Sequence, residues 1–435
     1  MYRVHSHGVF RALAGGSARL VATRVVGVLL QLAVGIALAR TLGAASYGDY
    51  SYAMAVVNLL VVPATLGLPH LATREVAIYG ANGEYALLRG ILRRSHQGVL
   101  LAGLLCGALI LAGGVAGLRG NAPGARSSLM VAAAIVPVLA LIRLEGGLLR
   151  GLGQPSHGAW PEQLLRPLLI LIAVVAYGHV RSSPLESAAA AIIVHLAALA
   201  VALTVSLFLT RRSLSLEVSA TDPAYRTRYW LRVALPFLLV GTLEIVNMRV
   251  DLLMLGLLRS SGEVGIYNAV MQGANTGTFV LVAVGMVSAP TLARLYSRGD
   301  TAGFRRTAKR GAQIALVGTI PIVAVLVFGG EFLLGALFGS EFVVGSTALA
   351  ILAAAQLVNV GTGPVGTSLS MTGNQREAAI GAAIAAAINL ILNALLIPKF
   401  GMEGAAIASA VSLAVWNVLL VVLMRLKTGI LTTPI

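Results

Sequence analysis

The chain contains a single cysteine, Cys106, among its 435 residues. One cysteine cannot form an intramolecular disulfide framework or a thiolate metal site, and the sequence has no HExxH motif or other cluster of metal-ligating residues. A GxxxxGK(S/T) phosphate-binding loop is also missing, so ATP is not expected to be the direct energy source. We therefore expect no cofactor, no bound metal and no enzymatic activity.

Charged residues are scarce, at 11% of the chain against 57% hydrophobic residues, and the mean hydropathy is +0.88. This composition excludes a water-soluble domain of this length. Apolar stretches of roughly 20 residues, the length that crosses a hydrocarbon core about 30 Å thick, recur from Leu20 to the C-terminus. The sequence therefore predicts an all-α polytopic membrane protein. The twelve predicted spans lie near 20–40, 50–68, 96–117, 129–149, 159–177, 187–209, 231–258, 266–290, 312–330, 343–370, 377–397 and 404–424.

Acidic residues are few, with 16 against 32 basic residues and a net charge of +16. In this segmentation, 21 basic residues fall in the segments on the N-terminal side of the membrane and six in the opposite loops. The positive-inside rule then places both termini in the cytoplasm. Because membrane topology explains how the basic residues are distributed, the net positive charge does not indicate a nucleic-acid partner, and we expect none. The stretch from Leu20 to Arg40 has no convincing cleavage site and is predicted to be a retained first helix rather than a signal peptide.

The chain repeats itself at an offset close to half its length. Five residues of the first half recur at an offset of 217, namely Leu38, Gly48, Tyr50, Met54 and Asn58 as Leu255, Gly265, Tyr267, Met271 and Asn275. Each repeat holds six spans, an even number, so the two are related by an axis along the membrane normal, as in several transporter folds. We predict an N-lobe at 1–209, a cytoplasmic linker at 210–230 and a C-lobe at 231–435.

Amide side chains recur at helical spacing within several predicted spans. Side chains three, four or seven residues apart lie on the same face of a helix, so such stripes can line a polar cavity. The alternative is that these amides form hydrogen bonds between helices and only stabilise the bundle. The candidate cavity residues of this type are Gln31, Asn58, Gln272 and Asn275.

Arginines within the predicted spans are candidates for binding an anionic ligand, because a charge at bilayer depth is costly without a partner or a wet cavity. Arg24 and Arg249 have no carboxylate on the same face of their own helices, and Arg143 is a further candidate. The guanidinium group is suited to bidentate binding of phosphate. Arg166 has a structural alternative, because Glu162 precedes it by four residues and can form an ion pair with it.

Two acids share one predicted span. Glu244, Asn247 and Asp251 lie on one face of helix seven. A carboxylate within the membrane can exchange a proton or a sodium ion, so Asp251, with or without Glu244, is a candidate for ion coupling. The alternative is that Asp251 pairs with an arginine of a neighbouring helix and holds the C-lobe together.

Short motifs along nearly the whole chain resemble the polysaccharide biosynthesis protein family, the lipid-linked oligosaccharide flippases of the multidrug/oligosaccharidyl-lipid/polysaccharide exporter superfamily. No single motif is diagnostic, but their order and spacing together are fairly specific. The motifs are ARTLG at 39–43, YGDY at 47–50, LGL at 66–68, TRE at 73–75, VDLLMLG at 250–256, GIY at 265–267, FGSEF at 338–342, TGNQ at 372–375, IPKFG at 397–401 and EGAA at 403–406.

The resemblance implies a V-shaped transporter of two helical lobes around a cationic cavity. Such proteins pass an undecaprenyl-pyrophosphate-linked saccharide to the outer leaflet of the bacterial inner membrane by alternating access, for the synthesis of O-antigen, exopolysaccharide or capsule. Arginines on the first and seventh helices that bind the pyrophosphate in related flippases correspond to Arg24 and Arg249. The twelve predicted spans differ from the fourteen of the peptidoglycan-precursor flippases.

The resemblance also implies partners: the lipid-linked oligosaccharide, membrane lipids, and a polysaccharide polymerase with other assembly proteins. Three alternatives remain open. A cation-coupled multidrug exporter of the same fold would need an acidic cavity rather than one with arginines. A membrane-embedded polymerase or ligase would usually carry a large outer loop, and no predicted outer loop is as long as the linker. A scaffold or channel-like protein would not need charged faces within the membrane.

Overall fold

The computed structural model describes residues 6–117, 123–181, 187–372 and 375–429, and these residues form helices with no β-strand among them. The predicted all-α fold is confirmed. The α-helices are α1 (Ser6–Thr65), α2 (Leu68–Asn82), α3 (Tyr85–Val115), α4 (Pro123–Ala132), α5 (Ile135–Gly151), α6 (Pro155–Trp160), α7 (Arg166–Arg181), α8 (Ala188–Ser213), α9 (Leu216–Ala220), α10 (Thr227–Leu258), α11 (Ser261–Asn275), α12 (Phe279–Ser297), α13 (Thr301–Phe328), α14 (Gly330–Leu337), α15 (Ser346–Gly361), α16 (Val365–Met371) and α17 (Gln375–Thr428). A π-helical turn at Pro161–Leu165 precedes α7, and 3-10 turns lie at Thr276–Thr278 and Ser340–Gly345.

Ten helical segments within these described ranges are long and apolar enough to cross a membrane. Two of them, Ala22–Asn82 and Glu377–Thr428, are 61 and 52 residues long. At 1.5 Å per residue, each exceeds twice the hydrocarbon thickness of about 30 Å. Each of these two segments therefore holds two of the predicted crossings, which gives the twelve predicted spans.

Both long helices break at a glycine. Gly43 interrupts α1 with φ 70° and ψ 171°, and Gly401 interrupts α17 with φ 55° and ψ −130°. A positive φ is strained for a residue with a Cβ atom, so glycine is the residue that permits each break. At the first break, the Ala44 amide donates to the Glu341 carboxylate at 2.9 Å, so an acidic side chain satisfies a backbone group that the break leaves open.

The chain forms two compact units. Unit 1 consists of Met1–Leu42 and Ala53–Thr242, and unit 2 of Gly43–Tyr52 and Leu243–Ile435. Both termini of the chain lie outside the described residues. The division into an N-lobe at 1–209, a linker at 210–230 and a C-lobe at 231–435 stays a prediction.

In unit 1, the segment between α8 and α10 packs along α3. The Ala224 amide donates to the Ala86 carbonyl at 2.9 Å, and Arg89 Nη1 donates to the Thr221 carbonyl at 2.6 Å. Gly90 permits this approach, because a Cβ at that position would lie 1.7 Å from the Ala224 carbonyl oxygen. The connection is therefore anchored to α3 by one backbone hydrogen bond and one from the Arg89 side chain.

In unit 2, the segment Gly43–Tyr52 crosses α11 at two glycines. A Cβ on Gly48 would lie 1.7 Å from the Ser261 carbonyl oxygen, and one on Gly265 would lie 2.1 Å from the Ala44 carbonyl oxygen. The two contacts join residues that are equivalent in the sequence repeat, since Ser261 and Gly265 follow Ala44 and Gly48 at its offset of 217.

Candidate functional site

The structure brings together two of the predicted cavity residues in unit 1. Arg143 on α5 donates from Nη2 to the Asn58 Oδ1 at 3.2 Å. Its Nε lies 3.6 Å from the Glu162 Oε1, and the two side chains are 29% and 28% exposed. The Asn58 amide also donates to the Met54 carbonyl at 2.7 Å, which fixes its orientation. Because a guanidinium carries five N–H donors, Arg143 keeps donors for a further anion.

Glu162 pairs with Arg143, and not with Arg166 as the spacing of four residues would allow. Its carboxylate contacts Arg143 on another helix. Glu162 lies in the π-helical turn Pro161–Leu165, where the angular spacing of side chains differs from that of an α-helix. The Arg166 Nε is buried and has no hydrogen-bond partner among the described residues. The ion pair therefore links α5 to this turn and is not internal to one helix.

Arg24 and Gln31 lie on the face of α1 that packs near the same π-helical turn. Between them is Gly27, where a Cβ would lie 2.9 Å from the Gln163 carbonyl oxygen. Arg24 precedes Gly27 by three residues and Gln31 follows it by four, so both share its face. Both side chains are exposed. Arg24 forms no ion pair with a described residue, which leaves its guanidinium available to a ligand.

On the other side of α5, Glu145 is completely buried and joins three helices of unit 1. The His96 Nε2 of α3 and the Thr210 hydroxyl of α8 each form a short hydrogen bond to its carboxyl group. The His96 Nδ1 also donates to the Leu92 carbonyl at 2.7 Å. A carbonyl oxygen can only accept a hydrogen bond, so the His96 Nδ1 carries a proton. The contact between the His96 Nε2 and the Glu145 carboxyl group requires one further proton between them. The histidine and glutamate are therefore neutral as a pair, which suits their burial.

Unit 2 contains a cavity of about 260 Å³ between α10, α11, α15 and α17. Half of its lining residues are polar. The polar residues are Asn247, Asp251, Tyr267, Asn275, Gln356, Asn389, Ser409 and Ser412. The apolar residues are Met248, Met271, Ala274, Leu352, Ala355, Ala385, Leu413 and Trp416. Asp251 and Tyr267 are the ionisable residues of this lining, which includes no arginine, lysine or histidine.

The Asp251 carboxylate is 4% exposed and is satisfied by hydroxyl groups. Its Oδ2 accepts from the Tyr267 hydroxyl at 2.8 Å and from the Ser409 hydroxyl at 3.0 Å, and its Oδ1 accepts from the Leu252 amide at 2.8 Å. Hydrogen bonds to a charged group contribute about 1.5–3 kcal/mol each, which offsets much of the cost of burying it. Two hydroxyls and one backbone amide therefore satisfy the Asp251 carboxylate, where the sequence suggested an arginine of a neighbouring helix.

The other polar candidates of unit 2 divide between the cavity and the helix contacts. Asn275 is exposed and lines the cavity. Gln272 does not belong to the lining, and its Nε2 donates to the Tyr47 hydroxyl at 2.6 Å. Asn268 donates to the same hydroxyl at 2.9 Å. These two amides therefore bind α11 to the segment Gly43–Tyr52, which is the stabilising role that amides have between membrane helices.

Arg249 and Glu244 lie on α10 outside the cavity lining. Arg249 is half-buried and Glu244 is exposed. Arg249 lies two residues before Asp251, and residues two apart on a helix point in nearly opposite directions. The Arg249 guanidinium lies outside the cavity lining but still interacts electrostatically with the Asp251 carboxylate, and Glu244 is not brought to Asp251.

Sequence reasoning missed several lining residues of the unit 2 cavity. Ser409, Ser412 and Trp416 lie on α17 at spacings of three and four, the periodicity of one helix face. That spacing could have identified these three residues as one helix face from the sequence. Tyr267 appeared only as a member of the repeat and the GIY motif, and its contact with Asp251 depends on how two helices pack.

Residues 13–296 match the family model described as polysaccharide biosynthesis protein. A relative in Haloferax volcanii, the probable low-salt glycan biosynthesis flippase Agl15, is 30% identical over 170 residues. The match covers 39% of this chain and 36% of the relative, so the chain spans about a third of that protein's length.

Two solved structures share the fold. The lipid II flippase MurJ in an inward closed conformation matches with a TM-score of 0.73 and 15% identity, covering 94% of this chain and 87% of MurJ. A multidrug resistance MATE family transporter of the MOP superfamily, in an inward-facing conformation, matches with a TM-score of 0.72 and 15% identity, covering 94% and 98%. The chain is thus a multi-pass membrane protein with the MOP transporter fold, and the match to the family model identifies it as a member of the polysaccharide biosynthesis protein family.

Proposed function

We propose that the protein is a flippase that moves an undecaprenyl-pyrophosphate-linked oligosaccharide from the cytoplasmic to the outer leaflet by alternating access. The saccharide would be a repeat unit of O-antigen, exopolysaccharide or capsule. Family membership and the MOP fold support a transporter of this class. A polysaccharide polymerase and other assembly proteins are the proposed partners on the outer side.

The intramembrane arginines carry this proposal. Arg24, Arg143 and Arg249 lie in helices of membrane-crossing length, and such charges are rare unless they meet an anion or a wet cavity. A pyrophosphate offers several oxygens to the planar guanidinium fork. We assign Arg24 and Arg249 to the pyrophosphate. Arg143, Gln31, Asn58, Asn275 and Gln272 are proposed as further residues of the substrate path, with Gln272 acting through the helix contact that it stabilises.

The proposal is tested by deleting the gene in its host. We expect loss of a surface glycan and accumulation of a lipid-linked saccharide, both reversed by the parent protein. Unchanged surface glycan together with sensitivity to cationic dyes would instead favour the second candidate, a cation-coupled multidrug exporter. The observation that favours this candidate is the unit 2 cavity, whose lining has the acidic Asp251 and no basic residue.

We propose a topology with both termini in the cytoplasm of a bacterium. The test uses single cysteines at Ser219 and Arg181 in a Cys106→Ser background, treated in intact cells with a membrane-impermeant thiol reagent. Ser219 is exposed on α9, within the predicted cytoplasmic linker, and Arg181 ends α7. We expect labelling at 181 and none at 219, because the basic segments stay inside. The reverse pattern would contradict this topology.

Asp251 is proposed as the ion-coupling group, and Glu244 is the weaker candidate because it is exposed and lies outside the cavity lining. The support for Asp251 is a buried carboxylate that lines a cavity within the membrane and contacts two hydroxyls, whose oxygens can coordinate a sodium ion beside it or accept a hydrogen bond from it once it is protonated. The alternative is that Asp251 only holds α10, α11 and α17 together.

Substitution of Asp251 by Asn separates the two roles, because the amide keeps the shape and loses the charge. In vesicles, the parent is expected to respond to an imposed proton or sodium gradient, and D251N to transport slowly without that response. Normal transport and an unchanged response by D251N would refute coupling. A variant that fails to accumulate in the membrane would favour the structural role.

A further inference from the structure

The unit 2 cavity is unsuited to the pyrophosphate. Asp251 and Tyr267 are the ionisable residues that line it, and they bond to each other. An anion in this cavity would meet the Asp251 carboxylate, and none of the residues that line the cavity is basic, so its entry would be costly in a low-dielectric environment. The part of a pyrophosphate-linked saccharide that enters the cavity is therefore not its anionic group.

The cavity also offers hydrogen-bonding groups that the protein does not use. Among the described residues, the Trp416 indole N–H and the Asn275 side-chain amide have no hydrogen-bond partner. The Gln356 Oε1 accepts from the Asn359 amide at 3.1 Å, which leaves the Gln356 amino group for a ligand. A lipid chain in this space would leave these groups unsatisfied, whereas a ligand with several hydroxyls would satisfy them.

The remaining surface of the cavity suits the flat, apolar face of a ring. Trp416 supplies a large aromatic surface with a polar edge, and Met271 and Leu413 add apolar contact. Mainly apolar walls with a few well-placed polar groups are the usual lining of a small-molecule site. Met248, which also lines the cavity, is 62% exposed, so the cavity opens to the surface of unit 2.

We infer that this cavity binds one uncharged, polyhydroxylated ring, a single sugar residue of the saccharide carried by the lipid. The inference rests on the proposed flippase function and adds a second point of recognition to it. Arginines bind the pyrophosphate that all such substrates share, while the unit 2 cavity distinguishes the saccharide. Asp251 lies in the same cavity, so sugar binding would also cover the carboxylate from water.

The test compares two probes on the purified full-length protein in lipid nanodiscs. One is undecaprenyl pyrophosphate without sugar, and the other is the saccharide-bearing lipid extracted from the deletion strain. The variants are Trp416→Leu and Asn275→Ala, and the matched control is Trp160→Leu, which changes a tryptophan of α6 in unit 1. Since Asn275 is exposed, its replacement leaves packing intact.

We expect the parent to bind the saccharide-bearing lipid more tightly than the bare lipid. Trp416→Leu should weaken binding of the saccharide-bearing lipid about tenfold and leave the bare lipid bound as before, and Asn275→Ala should weaken binding of the saccharide-bearing lipid about threefold. Trp160→Leu should keep the parent's preference. Unchanged preference in both cavity variants, or no preference in the parent, would overturn the sugar site. A parent that binds neither probe would overturn the proposed flippase function, and the sugar site with it.

Discussion

Replacement of Arg24 or Arg249 by alanine is expected to reduce surface glycan display at least about 30-fold without lowering the amount of protein in the membrane. Each change would remove one guanidinium from the proposed pyrophosphate site. Loss of one partner from a desolvated, hydrogen-bonded charge pair costs about 2–5 kcal/mol, and each 1.4 kcal/mol is a factor of ten. Display is measured by glycan staining of whole cells and protein level by immunoblotting.

Lysine at either position should restore display only in part, because an ammonium keeps the charge and loses the planar fork that binds phosphate through two parallel hydrogen bonds. The matched control is Arg93→Ala, which changes an exposed arginine of α3 and should leave display unchanged. Full display by both alanine variants would refute the assignment of the pyrophosphate to these residues.

Replacement of Glu145 by alanine is expected to destabilise unit 1 by about 3 kcal/mol. The substitution removes the shared partner of His96 and Thr210 and leaves both polar groups in the interior. It also opens a space at a position that is 0% exposed. Thermal denaturation of the purified protein in detergent measures the effect as a lower unfolding midpoint.

Two further variants show whether the loss of stability comes from the buried hydrogen bonds of Glu145. Glu145→Gln keeps an oxygen that can accept from Thr210 and should lose less stability than Glu145→Ala. Glu84→Ala removes an exposed acid beside α3 and should stay within about 0.5 kcal/mol of the parent. An unfolding midpoint for Glu145→Ala equal to that of Glu84→Ala would mean that the buried network contributes nothing to stability.

The membrane-crossing framework could be predicted because a spanning helix needs about 20 apolar residues whatever it packs against. The predicted spans at 20–40 and 50–68 both lie in α1, on either side of Gly43. The hydropathy pattern therefore indicated two membrane crossings, and in the structure both belong to one helix that is broken at Gly43. The repeat was equally visible, and its offset reappears in the crossing at Gly48 and Gly265.

The partners of the polar side chains could not be predicted, because spacing along a helix defines only which residues share a face. Gln272 donates to Tyr47, a residue 225 positions away in the chain. Glu162 pairs across helices with Arg143 because a π-helical turn alters its spacing to Arg166. Both contacts depend on helix packing, which the periodicity of one helix does not encode.

Flippase activity is measured by following the lipid-linked saccharide across the bilayer of vesicles that contain the purified protein. An impermeant reagent that modifies sugars reports the share of the saccharide that reaches the outer leaflet. We expect the parent protein to make the saccharide of both leaflets accessible to the reagent. With the double variant Arg24→Ala/Arg249→Ala, the inner-leaflet saccharide should stay protected, as it does in vesicles without protein. If the inner-leaflet saccharide stays protected in vesicles with the folded parent under every imposed ion gradient, the protein is not a flippase for this lipid.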